Sequence, residues 1–204
     1  MLRFCLALLV AAPASAVDLA AAFGERPMAT DVRLSPDGTK VSYLTPTRTG
    51  GGTAVVVADL KTGKIGAISI NTKSLHATSC RLKTETRLIC ALRGNNVVTG
   101  YTLGYERLVA IDTDGGRAEM IGNGCPTCQD AGRIIDWLPD DPGNVLMQMG
   151  ANAYRVSIAD GKRVYMGNGD AMTGSLRTDN RGRIRLKSSS GTPAFASRLG
   201  SYYW

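Results

Sequence analysis

One histidine and five cysteines carry most of the chemistry that this chain of 204 residues could perform. His76, in "TKSLHATSC", is the only imidazole, so a Ser-His-acid triad would have to form around it, yet no G-x-S-x-G raises a serine nucleophile on a sharp turn. We read His76 as a loop or strand-edge residue and assign no catalytic residue. An acid/base pair of carboxylates is no better supported, because Asp37, Asp59, Asp112, Asp114, Asp160 and Asp179 each fall where aspartate favours a tight turn. "DTDGG" at Asp112 begins like a calcium loop, but the later acidic ligands do not follow at the required spacing. Gly63-Lys64 lacks both the earlier glycine and the following Ser or Thr of a phosphate-binding loop. No cofactor and no metal site is expected.

The cysteines are read through the compartment. Met1-Leu2-Arg3 carries a positive charge, Phe4 to Ala12 is an apolar run too short to cross a bilayer, and Ala14-Ser15-Ala16 has the small-residue pattern of a cleavage site. Residues 1–16 are therefore expected to be a signal peptide. Cys5 lies too early in the apolar run to be a lipid-modified cysteine, so the expected product is soluble, without a stable membrane anchor, in the periplasm or outside the cell. Cleavage leaves Cys80, Cys90, Cys125 and Cys128, an even set in an oxidising compartment. In "CRLKTETRLIC" the first two are equidistant from Glu85, so a hairpin turning at Thr84-Glu85-Thr86 sets them opposite each other. Opposed strand residues have Cα atoms roughly 4.5–5.5 Å apart, within disulfide range. "CPTC", Cys125 to Cys128, admits a loop-closing disulfide, half of a zinc site or a redox pair. Zinc would need the other cysteine pair or His76, and a redox pair would need a βαβ setting, so the loop bridge is favoured.

Charge excludes less than its sign suggests. Removing Arg3 leaves 23 basic and 17 acidic residues, a net charge of +6. The densest basic stretch, "RGRIRLK", places Arg183, Arg185 and Lys187 on one strand face and Ile184 and Leu186 on the other, with no aromatics interleaved for base stacking. It reads as a solvated face, and no nucleic-acid partner is expected.

The elements that must position these residues are short strands, as 24 Gly, 8 Pro and 6% aromatics suggest. "VRLSPDGTKVSYLT" is a strand, a Ser-Pro-Asp-Gly turn and a strand, and "AVVVADLKTGKIGAISI" adds two more around Asp59 to Gly63. "CRLKTETRLICALR" with "ERLVAIDTDGGRAEMI" repeats the unit, "IIDWLPDDPGNVLMQM" with "AYRVSIADGKRVYMG" repeats it again, and "GSLRTDNRGRIRLK" begins another. Aligned second-hairpin glycines, Gly63, Gly115 and Gly161, are separated by 52 and 46 residues. That period is slightly long for propeller blades, with the excess placed in loops such as Asn95 to Gly104. A four-stranded sheet cannot bury both faces alone, so the units are expected to stack radially. The reading is all-β: an incomplete β-propeller over 17–204 of about three and a half four-stranded antiparallel blades, at 30–70, 78–122, 132–167 and 174–204. So few blades would leave a ring open, and the chain is expected to be cut short of closure.

These segments in this order, from "VDLAAAFGERPMATDVRLSPDGTKVSYLT" through "CRLKTETRLICAL", "ERLVAIDTDGG", "DWLPDDPGNVLMQM" and "YRVSIADGKR", resemble the N-terminal propeller of exported serine peptidases of the prolyl oligopeptidase family, in the acylaminoacyl-peptidase and dipeptidyl-peptidase-like branch. The resemblance implies a non-catalytic propeller that gates access to an α/β-hydrolase domain, so that peptides meet this chain only through that partner domain. None of the family's triad residues maps onto these 204 residues. The Ser-Pro-Asp-Gly hairpin also occurs in TolB-like propellers, so the alternative is a freestanding binding module that docks an envelope protein.

Overall fold

Alternating apolar residues between Asp- and Gly-bearing turns become strands. The computed structural model describes residues 27–47, 52–70, 74–123, 129–169, 173–189 and 202–203, and these contain fifteen strands and no helix. The first sheet runs β1 (Thr30–Leu34), β2 (Lys40–Pro46), β3 (Thr53–Asp59) and β4 (Ile65–Ser69). The second is β5 (Leu75–Leu82), β6 (Arg87–Val98), β7 (Tyr101–Asp112) and β8 (Ala118–Met120). The third is β9 (Arg133–Asp136), β10 (Asn144–Met149), β11 (Asn152–Ser157) and β12 (Arg163–Asn168). A three-stranded sheet follows, of β13 (Thr173–Thr178), β14 (Ile184–Ser189) and β15 (Tyr202–Tyr203). Every pairing is antiparallel between sequence neighbours, so each sheet is a meander.

Turn chemistry fixes the hairpins. Ser35 Oγ donates to Asp37 at 2.6 Å, the Thr39 N–H donates to the same carboxyl at 3.1 Å, and Gly38 takes φ 73°. The aligned glycines Gly63, Gly115 and Gly161 have φ of 70°, 80° and 67°, the left-handed conformation that a side chain disfavours. One expectation needs correction. Asn95 to Gly104 is not a loop: β6 and β7 pair continuously from Arg87↔Asp112 out to Val98↔Tyr101. Val97, Val98, Tyr101 and Thr102 suit a strand, and Thr99 and Gly100, with φ 49° and 84°, supply the two positive φ values of a tight hairpin turn. The surplus length of this repeat is thus an arm projecting past the end of β5, which pairs only as far as Leu75↔Gly94.

The sheets pack face on face, and the second sheet shows it best. Alternate residues of β6 point opposite ways: Leu88, Cys90 and Leu92 join Leu44, Val55, Val57 and Ile68 of the first sheet in one core. Ile89, with Ala110 and Ile121, joins Val145, Met147 and Val156 of the third sheet in the other. A sheet buried on both faces by like sheets is the packing of a propeller blade, and the fold is propeller-like. Buried cations bind the sheets together at their turns. Arg87 donates to the Ile158 carbonyl at 2.8 Å, and Lys83 donates to the carbonyls of Trp137 and Leu138.

Candidate functional site

The first strand of each blade lies at the edge of its sheet, and β5 packs against the first sheet as β13 packs against β9. Residues of β1, β5 and β9, with others from β6, β7 and β10, line an open cavity of about 680 Å³, within the size range of ligand sites. Four arginines line it: Arg33 from β1, Arg81 from β5, Arg107 from β7 and Arg133 from β9. Strand alternation puts them there. Arg81 stands between Cys80 and Leu82, both buried against the first sheet, and so faces the opposite way.

Each arginine is held in place. The Arg81 guanidinium lies over the Trp137 ring, 4.3 Å from its centroid. Arg133 donates to Gln148 Oε1 at 2.7 Å, an oxygen that also accepts the Leu176 N–H at 2.9 Å. Arg107 is buried, stacks 4.9 Å from the Tyr105 ring centroid and donates to the Glu106 carbonyl. Arg33 is exposed and pairs with Asp31 at 3.0 Å.

The three carboxylates of the cavity are already engaged. Asp31 accepts the Cys80 N–H at 2.9 Å as well as Arg33, Glu106 pairs with Arg93, and Asp130 accepts the Gly132 N–H at 2.8 Å. Arg81 and Arg133, by contrast, form no ion pair with a carboxylate among the described residues. The cavity therefore offers guanidinium donors to a ligand while its own acids are occupied.

Cys80 and Cys90 are directly opposed on β5 and β6 and form a disulfide, with Cα atoms 4.1 Å apart. The bridge sits in the core between the first two sheets, and the Cys80 backbone reaches the cavity wall. Cys125 and Cys128 lie outside the described residues. His76 is exposed on β5 opposite Arg93, and among the described residues no group of three His, Cys, Asp or Glu side chains is placed to hold a metal ion. The turn aspartates serve their turns. Hydrogen bonds from Ser35 and Thr39 hold the Asp37 carboxyl far below the usual range, and those from Lys162 and Ser157 lower Asp160 to about 2. Asp112 does more than cap a turn, since Arg87 bonds it at 2.7 Å.

The arginines were not singled out by sequence reasoning, although a signal existed. An arginine recurs on the first strand of every unit, in "VRLS", "CRLK", "GRII" and "SLRT", at Arg33, Arg81, Arg133 and Arg177. The first three reach the cavity; Arg177 does not line it.

Meandering sheets packed face to face around their first strands define a propeller-like architecture. Solved structures agree in fold. Acylaminoacyl peptidase in complex with Z-Gly-Gly-Phe-chloromethyl ketone is similar with a TM-score of 0.50 and 15% sequence identity, over 78% of this chain and 28% of that one. The orthorhombic crystal form of Pyrococcus horikoshii acylaminoacyl peptidase gives 0.52 and 15%, again over 78% of this chain and 28% of the other. This chain thus spans well under two thirds of the length of either peptidase. No protein-family model matches the sequence, and no curated protein sequence matches it.

Proposed function

We propose that this chain is the propeller of an exported peptidase of the prolyl oligopeptidase type, a non-catalytic gate that stands before an α/β-hydrolase domain and admits peptides to it. The observation that carries the reading is the fold shared with acylaminoacyl peptidases over 78% of the chain. Three further features support it. The signal-peptide pattern of residues 1–16 fits an exported protein, the 204 residues contain no G-x-S-x-G, and the polar cavity at the first strands is large enough for a few extended residues but not for a folded domain. The catalytic serine is assigned to the hydrolase domain.

Two measurements test this. The purified chain is expected not to turn over chromogenic aminoacyl or dipeptidyl substrates, and activity that survives repurification overturns the non-catalytic assignment. Antibodies against this propeller, applied to extracts of the source cells, are expected to precipitate a polypeptide labelled by a fluorophosphonate, the signature of an active serine hydrolase. Absence of that label overturns the peptidase assignment. A second reading, a TolB-like module that docks an envelope protein, draws on the β6–β7 arm, which exposes Val97, Tyr101 and Leu103. Under it, a cross-linked partner would lack the fluorophosphonate label.

A further inference from the structure

We propose that the cavity at the first strands binds extended peptide segments through an acidic side chain, whose carboxylate is taken by Arg81 and Arg133. Three observations lead there. First, the two guanidinium groups are positioned by neutral neighbours, the Trp137 ring and the Gln148 amide, and so keep donors available for a ligand. A planar guanidinium pairs with a carboxylate through parallel hydrogen bonds, which gives both strength and direction. Second, the charge is small. Four arginines against three carboxylates leave the lining at +1, too little to select a polyanion and well matched to one carboxylate. Third, β1, β5, β9 and β13 are edge strands of their sheets, so each turns one row of backbone N–H and C=O groups away from its own blade. Some of these groups are met by side chains, as the Cys80 N–H is by Asp31 and the Ile135 carbonyl by the Thr178 hydroxyl. An extended peptide can pair with others, as added strands do at open sheet edges.

The recurrence of arginine on the first strands gives the arrangement a simple origin. One residue of the repeated unit, carried into three successive blades, converges on a single cavity. The inference rests on the gating reading only for where the peptide goes next. Binding is measured on this chain alone, so its failure is distinct from failure to find a hydrolase partner.

The test is titration of the full chain with a capped Glu-containing peptide amide, its Gln counterpart and succinate, followed by calorimetry and by the fluorescence of Trp137, which lies beneath Arg81. The Glu peptide is expected to bind at least tenfold more tightly than the Gln peptide, to weaken with added salt, and to lose at least tenfold in affinity in Arg81→Gln and Arg133→Gln. Arg185→Gln, at an ion pair with Asp179 away from the cavity, is expected to leave binding unchanged. Equal binding of the Glu and Gln peptides overturns the carboxylate assignment, and succinate binding as tightly as the Glu peptide overturns the peptide assignment. Should either cavity variant melt early, the Glu-against-Gln comparison and the salt dependence of the unaltered chain carry the same test. Salt-independent binding of the Glu peptide overturns the proposal.

Discussion

Gly161 rests against Met120: a Cβ built on this glycine would lie 2.7 Å from the Met120 carbonyl oxygen. The contact joins the turn between β11 and β12 to the outer strand of the preceding blade, and Gly115 repeats it in looser form against Ile68 of β4. The same turn position thus closes two successive blade junctions.

This separates two costs of replacing a turn glycine. Gly63 has φ 70° and nothing within 4 Å of a new Cβ, so Gly63→Ala is expected to cost only the backbone preference, about 1 kcal/mol. Gly161→Ala, at φ 67°, adds a clash with backbone and is expected to cost about 3 kcal/mol. Urea midpoints of the two variants measure the difference, and equal losses would show that the junction yields.

The Cys80–Cys90 bridge closes a short loop between strands that are already paired. Cys80 and Cys90 are 1% and 0% exposed, so a reductant cannot reach the sulfurs without opening the core between the first two blades. Alkylation after dithiothreitol is expected to modify this pair only in denaturant, as read by mass. The double variant Cys80→Ala/Cys90→Ala is expected to lose about 3 kcal/mol, the value for a loop of this length.

Much of this fold was legible because its determinants are local. The Ser-Pro-Asp-Gly turn, the three aligned glycines and the symmetry of Cys80 and Cys90 about Glu85 each depend on residues a few positions apart. What was not legible depends on which sheets meet. In "CRLKTETR" the charges look like a solvated turn, yet Lys83 and Arg87 are buried because carbonyls of the third sheet lie over them. Arg33, Arg81 and Arg133 look like ordinary polar members of alternating strands, and the cavity exists only once three sheets are assembled. The arm from Asn95 to Gly104 was hidden differently, since length beyond the repeat was assigned to a loop although its residues favour strand.

Arg87 makes a prediction about acid. It is 3% exposed, donates to the Ile158 carbonyl and to Asp112, and its hydrogen bond is the largest influence holding the Asp112 carboxyl below 3.8. A depressed folded value means that the contribution of Asp112 is complete above pH 3.8 and is lost as pH falls from there through the folded value. Arg87→Met strands a buried carbonyl and is expected to cost about 3 kcal/mol at neutral pH. The gap between the two proteins in urea melts is expected to narrow as pH falls from 3.8 through the lowered folded value, below which Asp112 is protonated in both. A gap that is constant with pH would assign the effect to the carbonyls of Ile158 and of Arg117, the latter also bonded by Arg87 at 2.7 Å, and not to Asp112.

Lys83 predicts the opposite limb. It is 6% exposed, with Nζ bonded to the Trp137 carbonyl and, at 2.8 Å, to that of Leu138. Leu138 is held at φ 46° between this lysine and Asp136, which accepts the Leu138 N–H at 2.9 Å and the Gly182 N–H of the next blade at 2.8 Å. Burial pushes the Lys83 pKa below 10.5, with the charges of Asp141 and Asp136 opposing the shift. The folded chain therefore gives up this proton before the unfolded chain does, and stability gained through Lys83 rises as pH climbs from the lowered folded value to 10.5. The neutral amine still has two N–H groups, enough for both carbonyls. Lys83→Met is expected to cost about 2 kcal/mol at neutral pH by leaving those carbonyls unpaired, and its deficit against the unaltered chain is expected to widen toward alkaline pH. Urea melts of both proteins across that range decide the point: a deficit that shrinks as pH rises would mean that the ammonium charge itself, rather than its hydrogen bonds, holds the blades together.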